Sequence, residues 1–439
     1  MKSLEAFEWS ALSFEERAER LRRPSLGRDP ELESSVAAIL RDVRENGDKA
    51  IMAYTQKFDC PTLTDFEITR AEIDAATARV SEKIMTSLRE ASSRIRSFHE
   101  AQLPKNIQVE TSPGVKCEKR FLPIQRVGLY VPGGTAPLPS TLMMLAIPAK
   151  VAGCPEIFLV TPPDKNGQIN DVILAAAAML NVTRIFKCGG AQAIAALAYG
   201  SETFPKVDKI FGPGNAWVTA AKMQVAFDPV GAAIDLPAGP SEVMVVADQT
   251  ASPRFVAADL LSQAEHDAAS QVVLVSTIAS LIEQVQMELK DQLMTLPRAQ
   301  VAVQALAYSR AILATDIREA MSIANLYAPE HLILQVENPQ AAASMVRHAG
   351  SVFIGPWTPE SVGDYASGTN HVLPTYGFAR AFSGLGTEAF MKSISFQELT
   401  PEGLMELGPH VECLAEAEGL EAHQRAVSVR LDVLRAKKP

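Results

Sequence analysis

Seven histidines stand among the 439 residues, and four of them lie beside other groups able to bind a metal or carry a proton. In Leu260-Leu-Ser-Gln-Ala-Glu-His-Asp267 the pattern is helical, and Gln263 and His266 are three apart. That spacing sets an amide oxygen and an imidazole on one helical face. Gly363 to Thr375 reads as a loop dense in Gly and polar groups, with Asp364 and His371 inside it. His423 follows Gly419, which ends one tail helix before the next begins near Leu420. Gln263, His266, Asp364 and His423 together would form a mixed nitrogen and oxygen site without thiolate. Such donors suit zinc, with manganese or cobalt as substitutes. Spacing alone leaves other readings open: a solvated helix end, a turn capped by Asp, an exposed tail histidine.

Glu330-His331 offers acid/base chemistry. Pro329 disfavours helix for Ala328, so the pair falls where a helix gives way to the strand Leu332 to Gln335. His331 can take a proton near neutral pH, and Glu330 can activate a water; a capping pair is the other reading. Cys117 and Cys154 are the candidate thiol nucleophiles, but neither has a histidine or helix N-terminus beside it in sequence. His99, His348 and His410 read as surface or helix residues.

Positioning these groups requires an α/β framework. Residues 1 to about 105 read mostly as helices, with apolar spacing of three and four over Arg28–Phe58 and Arg70–Leu103. Then strands and helices alternate. Val127–Tyr130 leads through a Pro/Gly-rich loop to a helix capped by Ser140. Glu156–Thr161 precedes a helix over Asp171–Leu180. Arg184–Cys188 and Lys209–Phe211 each close on glycines, Gly189-Gly190 and Gly212-Pro-Gly-Asn215, and open helices. Free N–H groups at such turns favour phosphate, although no GxGxxG fingerprint is present. A second series follows, with strands at Glu242–Ala247, Gln271–Ser276, Ala311–Ala314, His331–Gln335 and Val352–Gly355. The expectation is two Rossmann-like open parallel sheets. One domain spans 130–241; the other joins 28–129 to 242–385. A helical segment at 1–27 and a small helical tail at 386–439 complete the chain. The tail is too short to hold a core of its own.

Composition excludes several classes. The formal charge of −10 leaves no basic excess for phosphate backbones or anionic membranes. No secretory signal opens the chain, and Pro148 and Lys150 break its most apolar stretch, so a cytoplasmic enzyme is expected. The five cysteines lack CxxC spacing and read as reduced thiols.

Eight segments in one order resemble the histidinol dehydrogenase family over nearly the whole chain. They are Val127–Gly134, Gly189–Ala195, Lys209–Asn215, Asp235–Glu242, Leu261–His266, Ala328–Leu332, Gly363–Thr375 and Ala417–His423. The resemblance implies oxidation of L-histidinol to L-histidine through a bound aldehyde with two NAD, the last step of histidine biosynthesis. It implies zinc held by Gln263, His266, Asp364 and His423, where the metal orients the substrate's imidazole and amine. His331 would accept the alcohol proton and Glu330 would activate water for the second oxidation. Ser241, His371 and Glu418 would join the zinc ligands and His331 in contacting substrate. Tyr130, Gln192 and Asn215 would contact NAD. It also implies a homodimer in which each tail reaches the partner's site. Departures are confined to Asp267, Pro356 and the Asp164–Asn170 linker. A relative acting on another small diol, such as a sulfonated one, and a non-enzymatic binding protein are the rival readings. The intact Glu330-His331 pair argues against the second.

Overall fold

The computed structural model describes residues 4–24, 30–133, 137–236 and 239–436. The start of the first expected helix at Arg28, Gly134 to Ala136 of the Pro/Gly loop, and Pro237-Ala238 lie outside the described residues. The chain divides into two compact units: Met1–Gln102 with Ile124–Phe390, and Leu103–Pro123 with Met391–Pro439.

The first unit holds two parallel sheets. In one, the strands run Arg184–Lys187, Glu156–Thr161, Arg126–Tyr130, Lys209–Phe211, Ala233–Ile234. Numbered by their own sequence order, that is 3-2-1-4-5. Every pairing is parallel. The other sheet runs Glu5–Glu8, Arg310–Leu313, Gln271–Ser276, Glu242–Ala247, His331–Gln335, Ser351–Ile354. Leaving aside its first, N-terminal strand, the order is again 3-2-1-4-5.

Both sheets are buried on both faces, which explains their apolar strands. Along Glu242–Ala247, Val243 and Val245 face helices Pro253–Ala264 and Ala279–Leu293, while Met244 and Val246 face helix Ile317–Tyr327. Against the other sheet lies the long helix Pro30–Phe58, broken at Gly47 (φ 49°), together with Gly190–Tyr199.

Local differences have local causes. Helix Pro139–Ala152 carries Pro139 in its first turn, so Ser140 lies inside it instead of capping it. Arg70–Leu103 forms two helices, because Ser81 caps a second one over Glu82–Glu100. Glu5–Glu8, in a segment read as helical, is an edge strand paired with Arg310–Leu313. His99 is fully buried: Asn370 lies against its Nε2, and its Nδ1 contacts the Ile95 carbonyl.

The second unit is an antiparallel sheet, Met391–Leu399, Val115–Pro123 and Ile107–Ser112, followed by helices Pro401–Ala417 and Glu421–Ala436. The strand pairing joins Met391 to Pro123 at one end and Leu399 to Val115 at the other, residues far apart in the chain, which helical periodicity in the tail does not announce. Only Ala415 and Leu431 are buried apolar residues of the two helices, in keeping with a tail that has little core of its own.

Candidate active site

The acid/base and metal-ligand candidates of the first unit meet at the amino edge of the six-stranded sheet. Helix Ile317–Tyr327 stops at Ala328, whose left-handed backbone (φ 54°) turns the chain into Pro329-Glu330-His331. Glu330 and His331 are both buried. The next strand in the sheet starts at Glu242, right after Ser241. The Glu242 N–H donates to Glu330 Oε2 at 2.7 Å, and its carbonyl accepts from His331 Nδ1 at 3.0 Å. With Nδ1 donating to a carbonyl, Nε2 is the open nitrogen of the neutral ring. It is buried without a partner and stands 3.8 Å from Asp364.

Helix Pro253–Ala264 ends just before His266, so that residue lies in the following turn, not on the helix itself. Its N–H bonds the Gln263 carbonyl at 3.2 Å, which preserves the three-residue proximity. Asp364, expected in a loop, sits in the short helix Glu360–Tyr365. The four-residue step then sets Glu360 on the same face as Asp364. His266, Glu360 and Asp364 bring ligand atoms within 4.8 Å of one another. Glu360 was not among the sequence candidates, since a loop reading removes the helical spacing that would have flagged it.

This cluster fits a bound cation. The Gln263 side-chain oxygen is buried with no hydrogen-bond partner, an arrangement that costs free energy unless something else binds it. Burial raises the Glu360 carboxyl to about 8; Asp364 adds to the rise although His331 opposes it. Burial disfavours charge on His331 too, but Glu330, Glu360 and Asp364 outweigh it and lift the imidazole to about 10, a pull that a cation held among these carboxylates would cancel, leaving the ring neutral. Carboxylates this crowded call for positive charge. Opposite them, burial lowers His371. Its Nδ1 donates to the Asp364 carbonyl at 2.9 Å and its Nε2 meets the Thr141 hydroxyl at 3.2 Å.

The other sheet contributes a cleft of about 1080 Å³ at its carboxyl edge. Tyr130, Gln192 and Asn215 all line it. Tyr130 ends the first strand and Asn215 caps the helix after the fourth, so the cleft opens where the strand order reverses. The Tyr130 hydroxyl accepts from the Gly190 N–H at 3.2 Å. Asp59 enters the same cleft and accepts from the Gly189 N–H at 3.2 Å and the Gln192 amide at 3.4 Å. Asp59 too was missed, because it closes a helix far away in sequence and carries no motif.

The family model of histidinol dehydrogenase matches residues 22–431. The chain belongs to the histidinol dehydrogenase family. It is 51% identical to a histidinol dehydrogenase of Vibrio cholerae serotype O1, over 97% of this chain and 98% of the relative. A histidinol dehydrogenase of Colwellia psychrerythraea is 50% identical, again over 97% and 98%. The crystal structure of histidinol dehydrogenase from Elizabethkingia anophelis superposes with a TM-score of 0.94 at 47% identity, covering 99% of this chain and all of that one.

Burial pushes the Cys154 thiol up to about 11, far from thiolate character. His423 and Glu418 belong to the second unit. Both are exposed, Glu418 at the end of one helix and His423 in the first turn of the next. No described helix is long and apolar enough to cross a membrane.

Proposed function

We propose that this chain oxidises L-histidinol to L-histidine in two NAD-linked steps, with one zinc per subunit. It is an NAD-using dehydrogenase acting on a small molecule. The observation that carries the reading is the cluster at the amino edge: an open, buried His331 Nε2 beside the unpartnered Gln263 oxygen and the His266, Glu360 and Asp364 ligand atoms.

Gln263, His266 and Asp364 hold the zinc, and His423 from a second copy's tail completes it in a homodimer. When bound, the metal supplies a fixed positive charge that orients the substrate's imidazole and amine. NAD, held by Tyr130, Gln192 and Asn215, supplies the two-electron acceptor for each oxidation. The residues of the chain do the rest. His331 Nε2 removes the hydroxyl proton as the carbinol carbon gives up hydride, leaving the aldehyde. Glu330 then takes a proton from water as its oxygen adds to the aldehyde carbon. The hydrate carbon then gives up a second hydride to leave the carboxylic acid, which loses its proton to solvent as the carboxylate. Ser241, His371 and the partner copy's Glu418 contact the substrate. A freely diffusing cofactor and all-free cysteines support a cytoplasmic location.

The test is metal analysis with a substrate comparison. Zinc near one per subunit and turnover of histidinol, abolished by chelation and restored by zinc, support the reading. Turnover of a sulfonated propanediol without any of histidinol would overturn it.

A further inference from the structure

Arg23 lies outside every group assigned above, yet its contacts converge on the acid/base pair. It comes from the N-terminal segment and is mostly buried, with a side-chain exposure of 13%. Its guanidinium forks onto Glu242: Nε donates to Oε1 at 2.5 Å and Nη2 to Oε2 at 2.9 Å. The same Nη2 donates to the carbonyls of Tyr327 at 2.9 Å and Ala328 at 3.4 Å. The guanidinium also stacks over the Tyr327 ring, 3.9 Å from its centroid.

These are the two backbones that place Glu330 and His331. Glu242 braces both side chains with its own N–H and carbonyl. Tyr327 and Ala328 form the turn that delivers the pair, and Ala328 holds a left-handed conformation that is strained for a residue with a Cβ. Something must hold that turn. Tyr376 adds a second anchor on the strand end, its N–H donating to Glu242 Oε1 at 2.9 Å.

We propose that Arg23 is a positioning residue for the acid/base pair: one guanidinium ties the strand end that braces Glu330 and His331 to the turn that presents them. The inference rests on the roles proposed above for that pair. It requires arginine in particular. Lysine offers a point charge without the fork and cannot satisfy the carboxylate and the turn carbonyls in one plane.

The experiment compares R23K and R23Q with the wild-type holoenzyme, after the wild type has been shown to oxidise histidinol. A wild type inactive on histidinol would fail the functional reading, not this one. For each variant kcat, the KM of histidinol and of NAD, bound zinc and the unfolding temperature are measured. Misplacing a catalytic group by about 1 Å can cost roughly 100-fold. R23K is therefore expected to lose about 10- to 100-fold in kcat, with both KM values within about 3-fold and zinc retained. Added guanidinium should restore part of the kcat of R23Q. Unchanged kcat in R23K would overturn the proposal, whatever happens to its unfolding temperature. Loss of kcat only in step with lost zinc or a raised histidinol KM would overturn it too. If R23Q does not fold, R23K decides alone.

Discussion

The two sheets of the first unit share one strand order and are used from opposite edges. The five-stranded sheet presents its carboxyl edge, where four helices begin and their N–H groups point outward. The six-stranded sheet presents its amino edge, where helices Pro253–Ala264 and Ile317–Tyr327 end. Helix starts carry about half a positive charge and helix ends about half a negative one. The first edge therefore suits a phosphate-bearing cofactor and the second suits a metal ion or an amine. Side chains follow the division only in part: Tyr130, Gln192 and Asn215 are uncharged but share their cleft with the Asp59 carboxyl, whereas Glu330, Glu360, Asp364, His266 and His331 are all titratable.

If the division holds, damage at one edge should leave the other intact. His331→Asn should have the largest effect, because a general base contributes roughly 100- to 10,000-fold. Alcohol oxidation should fall by that order while zinc and NAD binding persist; normal oxidation in this variant would refute the base assignment. Glu360→Gln comes next. Losing a group beside the metal ligands should weaken zinc about 10- to 100-fold, read by competition with a chelator, with NAD affinity unchanged.

Gln192→Ala removes a side chain from the cofactor cleft and frees its Asp59 partner. A single hydrogen bond near 1 kcal/mol predicts an NAD KM raised about 5-fold, with zinc content untouched. Equal loss of zinc in this variant would break the comparison.

The smallest effect concerns Asp59, whose carboxyl burial raises to about 6, against weaker opposition from the Gly189 N–H and Lys165. A carboxyl that binds its proton more tightly in the folded state stabilises the fold at low pH. That contribution fades as pH rises from the ordinary carboxylate range through about 6. Asp59→Asn should therefore unfold at a temperature that gains on the wild type between pH 4 and 6 and runs parallel above. A constant offset across that range would contradict the assignment.

Much of this was legible in the sequence, for reasons that differ by residue. Runs such as Glu242–Ala247 betray strands buried on both faces, and Pro329 marks the junction that carries Glu330 and His331. Glu360 and Asp59 were invisible because each acts through a neighbour distant in the chain or through a helix too short to show a period. Arg23 was invisible for the same reason: its partners Glu242 and Tyr327 are more than 200 residues away. The three-stranded sheet of the second unit escaped notice because its strands are mostly exposed, with little buried surface to mark them.

On the proposed reading, the amino-edge cluster carries one substrate through both oxidations. The most direct measurement is the yield of NADH per histidinol consumed, with excess NAD and the zinc-loaded protein. Two NADH and one histidine are expected. One NADH with free aldehyde accumulating, or none, would contradict it.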